Sequence, residues 1–182
     1  MHQQFGLVID LERCVECHAC TVACKIHNKI ELGKFLTQVL PVGPKGIHPN
    51  VGRYAFPKVC MQCEQAPCEK ACPTKATRHD ERGIVVIDEE QCIGCKYCMI
   101  ACPYGARSYN KERGVVQKCQ LCVERLNIGK QPVCVNTCLG GARIFGDLND
   151  PTSEAFKRAH EPGAFVMYEE LGTCPVTRYC AP

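Results

Sequence analysis

Tryptophan is absent from this 182-residue chain, and phenylalanine and tyrosine supply six residues each. Aromatic side chains therefore cannot dominate its core. No apolar run approaches the ~20 residues that span a bilayer, Ile84–Ile87 being typical of the longest stretches. The opening residues, Met1-His2-Gln3-Gln4-Phe5-Gly6, lack a basic segment followed by an apolar one, and there is no twin-arginine sequence. The expectation is a soluble chain with no transmembrane segment and no export address of its own. No Lys/Arg run marks a nucleic-acid patch, so no nucleic-acid partner is expected.

Cysteine is what the chain has in excess, with 18 residues. Sixteen fall into four groups of four. Cys14, Cys17, Cys20 and Cys24 are spaced C-x2-C-x2-C-x3-C, and Cys92, Cys95, Cys98 and Cys102 repeat that spacing. Cys60, Cys63, Cys68 and Cys72 are spaced C-x2-C-x4-C-x3-C. Cys119, Cys122, Cys134 and Cys138 are spaced C-x2-C-x11-C-x3-C. Pro73 and Pro103 follow the second and third groups. Disulfides would have to close very tight loops. Zinc uses isolated C-x2-C pairs and usually mixes in histidine. The tight triple run with proline after the fourth cysteine is that of bacterial ferredoxins and predicts four [4Fe–4S] clusters. Each oxidised cluster with its thiolates carries roughly two negative charges, so the formal +3 becomes about −5 in the loaded protein. The metal centres are expected to act as part of the core.

An internal repeat sets the pairing. Val8-Ile9-Asp10 precedes Cys14 as Val86-Ile87-Asp88 precedes Cys92, so the first group copies the third. Cys60-Met61-Gln62-Cys63 and Cys119-Gln120-Leu121-Cys122 relate the second and fourth. Ala76, Ala106 and Ala142 stand at one offset after a last cysteine. In every group the third and fourth cysteines lie four residues apart, one helical turn, so neighbouring clusters can share a group, as in two-cluster ferredoxins. Crossed ligation is therefore expected. One quartet is Cys60, Cys63, Cys68 and Cys102, and a second is Cys92, Cys95, Cys98 and Cys72. A third is Cys14, Cys17, Cys20 and Cys138, and the last is Cys119, Cys122, Cys134 and Cys24. The predicted fold is α+β: two ferredoxin-like units, one inserted in the other. Residues 53–112 form the inner unit and residues 1–52 plus 113–182 the outer.

Val8–Asp10, Val85–Asp88 and Ala164–Tyr168 read as short strands, and short helices end each cysteine group. The Gly- and Pro-rich stretch Gly33–Pro57 reads as a connecting loop, and polar Asn149–Gly163 as a surface excursion. Cys14-Val15-Glu16-Cys17-His18 matches a c-type haem attachment motif. Cys20 and Cys24 follow at ferredoxin spacing, however, and His18 aligns with Lys96, so His18 reads as a surface or second-sphere residue. Cys174 and Cys180 read as free thiols in a C-terminal tail. Lys25, Lys58, Lys96 and Lys118 sit beside ligand cysteines, where a cation raises a cluster's potential if it is not simply solvated.

From Val8 to about Tyr168, and above all in Cys92-Ile93-Gly94-Cys95-Lys96-Tyr97-Cys98-Met99-Ile100-Ala101-Cys102-Pro103-Tyr104-Gly105-Ala106, the pattern resembles the iron–sulfur subunits of the dimethyl sulfoxide reductase and polysulfide reductase family. Respiratory nitrate reductase subunits of this kind replace one cysteine of the third group by tryptophan. Cys98 is kept here, which implies no three-iron site. The resemblance implies an electron-transfer subunit with no catalytic residues of its own. Its partners would be a large catalytic subunit with a molybdenum or tungsten pterin and a quinone-linked membrane anchor or soluble donor. It also implies export with that partner to the outer face of the cytoplasmic membrane. The rival readings are a cytoplasmic polyferredoxin-like subunit of a formate dehydrogenase or hydrogenase complex, and a zinc-binding interaction protein.

Overall fold

The computed structural model describes residues 3–181, so Met1 and His2 of the opening segment lie outside the described residues. Strand β1 (Phe5–Asp10) alternates faces, with Leu7 and Ile9 on one side and Val8 on the other, all fully buried. Helix α1 (Ala19–His27) carries Cys20 and Cys24 one turn apart on its buried side. Next comes a correction: most of the stretch expected as a loop is a β-hairpin. Strands β2 (Gln38–Ile47) and β3 (Asn50–Lys58) pair antiparallel from Gln38/Lys58 to Ile47/Asn50, with a bulge between Val42 and Lys45. Its base is buried at Val39, Ala55 and Pro57, while its tip projects with side chains exposed.

The short helices expected at the end of the remaining cysteine groups are present. Helix α2 (Pro67–Lys70) leads to the hairpin β4 (Thr77–His79) and β5 (Val85–Ile87). Helix α3 (Tyr97–Ile100) leads to the hairpin β6 (Arg107–Asn110) and β7 (Val115–Lys118). Helices α4 (Val123–Leu126) and α5 (Val133–Asn136) lead to strand β8 (Arg143–Asp147).

The polar stretch after Asn149 is also corrected. It contains helix α6 (Glu154–Ala159), capped by the Ser153 hydroxyl, which accepts from the Phe156 N–H at 2.9 Å. Ala155 and Ala159, one turn apart, are buried with Val8, Ile144, Leu148 and Val176. A Cβ on Gly146 would lie 2.9 Å from that of Ala155, so glycine there lets the helix approach the sheet. The strand expected at Ala164–Tyr168 shrinks to β9 (Ala164–Phe165), and Tyr168 instead begins a 3-10 turn at φ +52°.

The last element, β10 (Arg178–Cys180), runs parallel to β1 and completes a four-stranded sheet of order β8-β1-β10-β9. The expected C-terminal tail is thus integral structure. Tyr179 is fully buried, stacks on Phe56 with ring centroids 4.6 Å apart, and donates its hydroxyl to the Pro57 carbonyl. Cys180 is buried and Cys174 exposed, and neither forms a disulfide. No helix among the described residues is long and apolar enough to cross a membrane.

Truncating Tyr179 leaves a large cavity between the sheet and β3. Tyr179→Ala is expected to cost about 3–5 kcal/mol, read as a lower urea midpoint at unchanged slope. An unchanged midpoint would show that the C-terminal segment contributes nothing to the core.

Candidate metal centres

The four cysteine groups share backbone devices visible only in three dimensions. The second residue inside each first C-x2-C turn has positive φ: Glu16, Gln62, Gly94 and Leu121. Such turns point successive N–H groups into the loop, making an anion-binding concavity. Glycine is required only at Gly94, where a Cβ would lie 2.3 Å from the Gly114 carbonyl oxygen. His18 and Lys96, aligned in the repeat, adopt the same left-handed conformation at the N-caps of α1 and α3. His18 is exposed. In the last three groups another left-handed residue comes three residues after the fourth cysteine, Lys75, Gly105 or Gly141, whose N–H returns to the Cys72, Cys102 or Cys138 carbonyl. That turn drives the following alanine inward, and Ala76, Ala106 and Ala142 are all buried.

The repeat also docks its halves by one recurring hydrogen bond. The Asp10 N–H donates to the Ala142 carbonyl at 2.8 Å, and the Asp88 N–H donates to the Ala76 carbonyl at 2.8 Å. The strand before the first group (β1) pairs with the strand after the fourth (β8), and the strand before the third (β5) with the strand after the second (β4).

The thiols gather accordingly. Cys14, Cys17, Cys20 and Cys138 line one small cavity. Cys24, Cys119, Cys122 and Cys134 line a second. Cys72, Cys92, Cys95 and Cys98 line a third. Cys63 has the Cys60, Cys68 and Cys102 thiols beside it. In each set a cysteine that ends one group joins three from another. All sixteen are free thiols.

Burial pushes the Cys24 thiol up to about 12, helped by Cys134 and Cys122, and burial with Cys60 beside it does the same to Cys63. Cys122 is pushed up to about 11, again by burial first. Cys72 moves the other way. Its burial is outweighed by the Thr77, Thr74 and Ala76 N–H groups and the Thr74 hydroxyl, which together lower it.

Two functional residues escaped sequence reasoning. Arg107 and Arg143 each follow a buried alanine of the repeat, and both are buried against thiols. The signal was their common offset, five residues after Cys102 and Cys138. Of the four lysines singled out, Lys118 is buried, with Nζ donating to the Cys119 carbonyl at 2.6 Å. Lys25 donates to the Glu31 and Lys34 carbonyls, Lys96 lies over the Tyr109 ring, and Lys58 is half-buried.

The donor set decides between one metal atom and several. Four thiolates on a tetrahedral zinc at 2.3 Å would sit ~3.8 Å apart. Among the described residues, the only three His, Cys, Asp or Glu donor atoms within 4.8 Å of one another are those of His27, Cys122 and Glu124. No quartet contracts to a zinc-like spacing, and the all-thiol donor sets fit a cluster of several irons.

Comparison with known proteins agrees. The model of the 4Fe-4S dicluster domain matches residues 51–148. The B component of tetrathionate reductase from Salmonella typhimurium is 42% identical over 97% of this chain and 72% of its own length. The B component of selenate reductase from Mesobacillus selenatarsenatis is 39% identical over 97% of this chain and 71% of its own. The B component of polysulfide reductase from Wolinella succinogenes is 37% identical over 96% of this chain and 93% of its own. Fold, thiols and relatives define a ferredoxin-like protein that binds [4Fe–4S] clusters and transfers electrons. The chain belongs to the family of iron–sulfur subunits of dimethyl sulfoxide reductase and polysulfide reductase type.

The opposed thiol shifts predict an order of reactivity in the folded, iron-free chain. Near neutral pH, iodoacetamide is expected to label Cys72 well before Cys24 or Cys63. Raising the pH toward about 12 should speed the latter two about tenfold per unit, while Cys72 levels off earlier. Peptide mass mapping over time would show this. Equal rates would contradict the burial of Cys24 and Cys63.

Proposed function

We propose that the chain holds four [4Fe–4S] clusters on sixteen cysteines. It would relay electrons between a catalytic subunit with a molybdenum or tungsten pterin and a quinone-linked membrane subunit or a soluble donor. The observation that carries this reading is the three-plus-one grouping of thiols, in which a cysteine ending one group completes another group's quartet. That grouping supports the crossed quartets and the division into two nested units, residues 53–112 within 1–52 and 113–182. The Asp10–Ala142 and Asp88–Ala76 hydrogen bonds support the same pairing.

Neighbouring thiols suggest a linear order. Cys98 has Cys68 and Cys72 beside it, Cys119 has Cys60 and Cys24, and Cys134 has Cys20. The series runs from the Cys92/Cys95/Cys98/Cys72 quartet through the Cys60 and Cys119 quartets to the Cys14 quartet. Its two ends carry the exposed thiols of the sixteen, Cys95 and Cys17. Exposed Ile93, Tyr97 and Ile100 surround one end, and Val15 and Leu139 the other, as apolar surfaces a partner would cover. Clusters held there supply one-electron transfer. The chain's part is to fix their spacing, exclude water and leave no coordination site open to a substrate. The relatives' names make them components of reductases, which supports the catalytic partner. Placement on the outer face of the cytoplasmic membrane belongs to the same proposal.

Anaerobic purification followed by metal and sulfide analysis tests this. About sixteen irons per chain with matching acid-labile sulfide are expected, with molybdenum or tungsten in the co-purifying fraction. Zinc in place of iron would refute it. Full iron with neither molybdenum nor tungsten would favour a polyferredoxin-like subunit. Cys138→Ala should lose about four irons and the signal of the Cys14 quartet, whereas Cys174→Ala should lose none.

A further inference from the structure

Three positive charges are buried among the thiols with no carboxylate beside them. Arg107, Lys118 and Arg143 are 7%, 3% and 3% exposed. None takes part in an ion pair among the described residues. A buried, uncompensated cation is costly, and a fold keeps one only where an anion balances it. Threonine hydroxyls hold the two guanidinium groups. Arg107 Nη1 donates to Thr77 Oγ1 at 3.2 Å, and Arg143 Nη2 donates to Thr37 Oγ1 at 2.7 Å. The other terminal nitrogen of each, Nη2 of Arg107 and Nη1 of Arg143, is buried with no partner in good hydrogen-bond geometry, and the guanidinium groups lie close against thiols, Arg107 at Cys68 and Cys98 and Arg143 at Cys134.

The positions of the three are regular. Arg107 faces Cys68 and Cys98, which belong to different quartets of the inner unit. Arg143 faces Cys134 and Cys20, of different quartets of the outer unit. Lys118 lies near Cys68 and Cys119, one from each unit. We infer that Arg107, Lys118 and Arg143 each occupy one interval between successive clusters, where a fixed positive charge compensates the two flanking anions. The unpartnered guanidinium N–H groups donate to cluster sulfur. The inference rests on the four-cluster reading above. Reducing a cluster adds one negative charge beside another anion. An interposed cation stabilises the reduced form of both neighbours and weakens the repulsion between electrons on them. The three therefore set the potentials of the relay in overlapping pairs.

The test uses the loaded full-length chain and redox titration followed by electron paramagnetic resonance. Arg107→Gln should lower the midpoints of the two inner-unit clusters and leave the outer two in place. Arg143→Gln should do the reverse, and Lys118→Gln should lower the two clusters that meet at the junction. The expected shift is about tenfold in the reduction equilibrium, ~59 mV for a one-electron couple. Arg107→Lys and Arg143→Lys should largely restore the midpoints. Full iron with all four midpoints unmoved, or all four moved alike, would overturn the inference. Should a glutamine variant fail to load, wild-type protein labelled with ¹⁵N only in the arginine guanidinium serves instead. Pulsed resonance of its reduced clusters should show ¹⁵N coupling, and its absence would overturn the role of the arginines. Zinc, or fewer irons in the wild type, would instead bring down the four-cluster reading itself.

Discussion

A buried thiol is nearly apolar, but a buried thiolate is a desolvated charge, and here each would stand beside several others. Such a group is stable either fully protonated or with metal ions between the sulfurs. Burial and thiol neighbours together push Cys24 and Cys63 up to about 12. The main apolar cluster itself includes Cys60, Cys63, Cys68 and Cys98. In a chain without tryptophan, the thiols take the place that large side chains hold elsewhere. Cluster binding then completes a core that the protonated thiols already help to form.

Much of the remaining structure serves to bring those sulfurs together from distant parts of the sequence. Left-handed residues fold the first C-x2-C turn of each group around its contents, and in the last three groups a second left-handed turn after the fourth cysteine buries an alanine. At Ala142 and Ala76 the backbone of that alanine locks onto Asp10 and Asp88, which open the complementary halves. The hairpin β2–β3 contributes from outside the repeat: Val39 and Ala55 pack against Cys20 and Cys134, and Thr37, just before β2, holds Arg143.

Cysteine spacing made the grouping legible, because tight spacing is a direct consequence of how few residues fit around one cluster. The Val-Ile-Asp repeat likewise identified β1 and β5. The hairpin Gln38–Lys58 was hidden because its outer half is exposed on both faces, so it lacks the alternation that betrays a half-buried strand, and Gly and Pro within it imitate a loop. Helix α6 was hidden because it buries only two alanines, Ala155 and Ala159, on an otherwise polar segment. The tail was misread because three residues, Arg178–Cys180, are too few to show a period, although they fill the centre of a sheet. Arg107 and Arg143 were illegible for a different reason: arginine is expected at the surface, and only their shared distance from a ligand cysteine hinted otherwise.

The position of β10 bears on how the protein comes into being. Synthesis runs from the N-terminus, so β1 emerges long before its parallel partner. Until Arg178–Cys180 leaves the ribosome, one edge of β1 stays unpaired and the pocket around Phe56 waits for Tyr179. The sheet therefore closes only once Arg178–Cys180 has emerged, and any machinery that inserts metal into the first cysteine group before then meets a loosely held precursor.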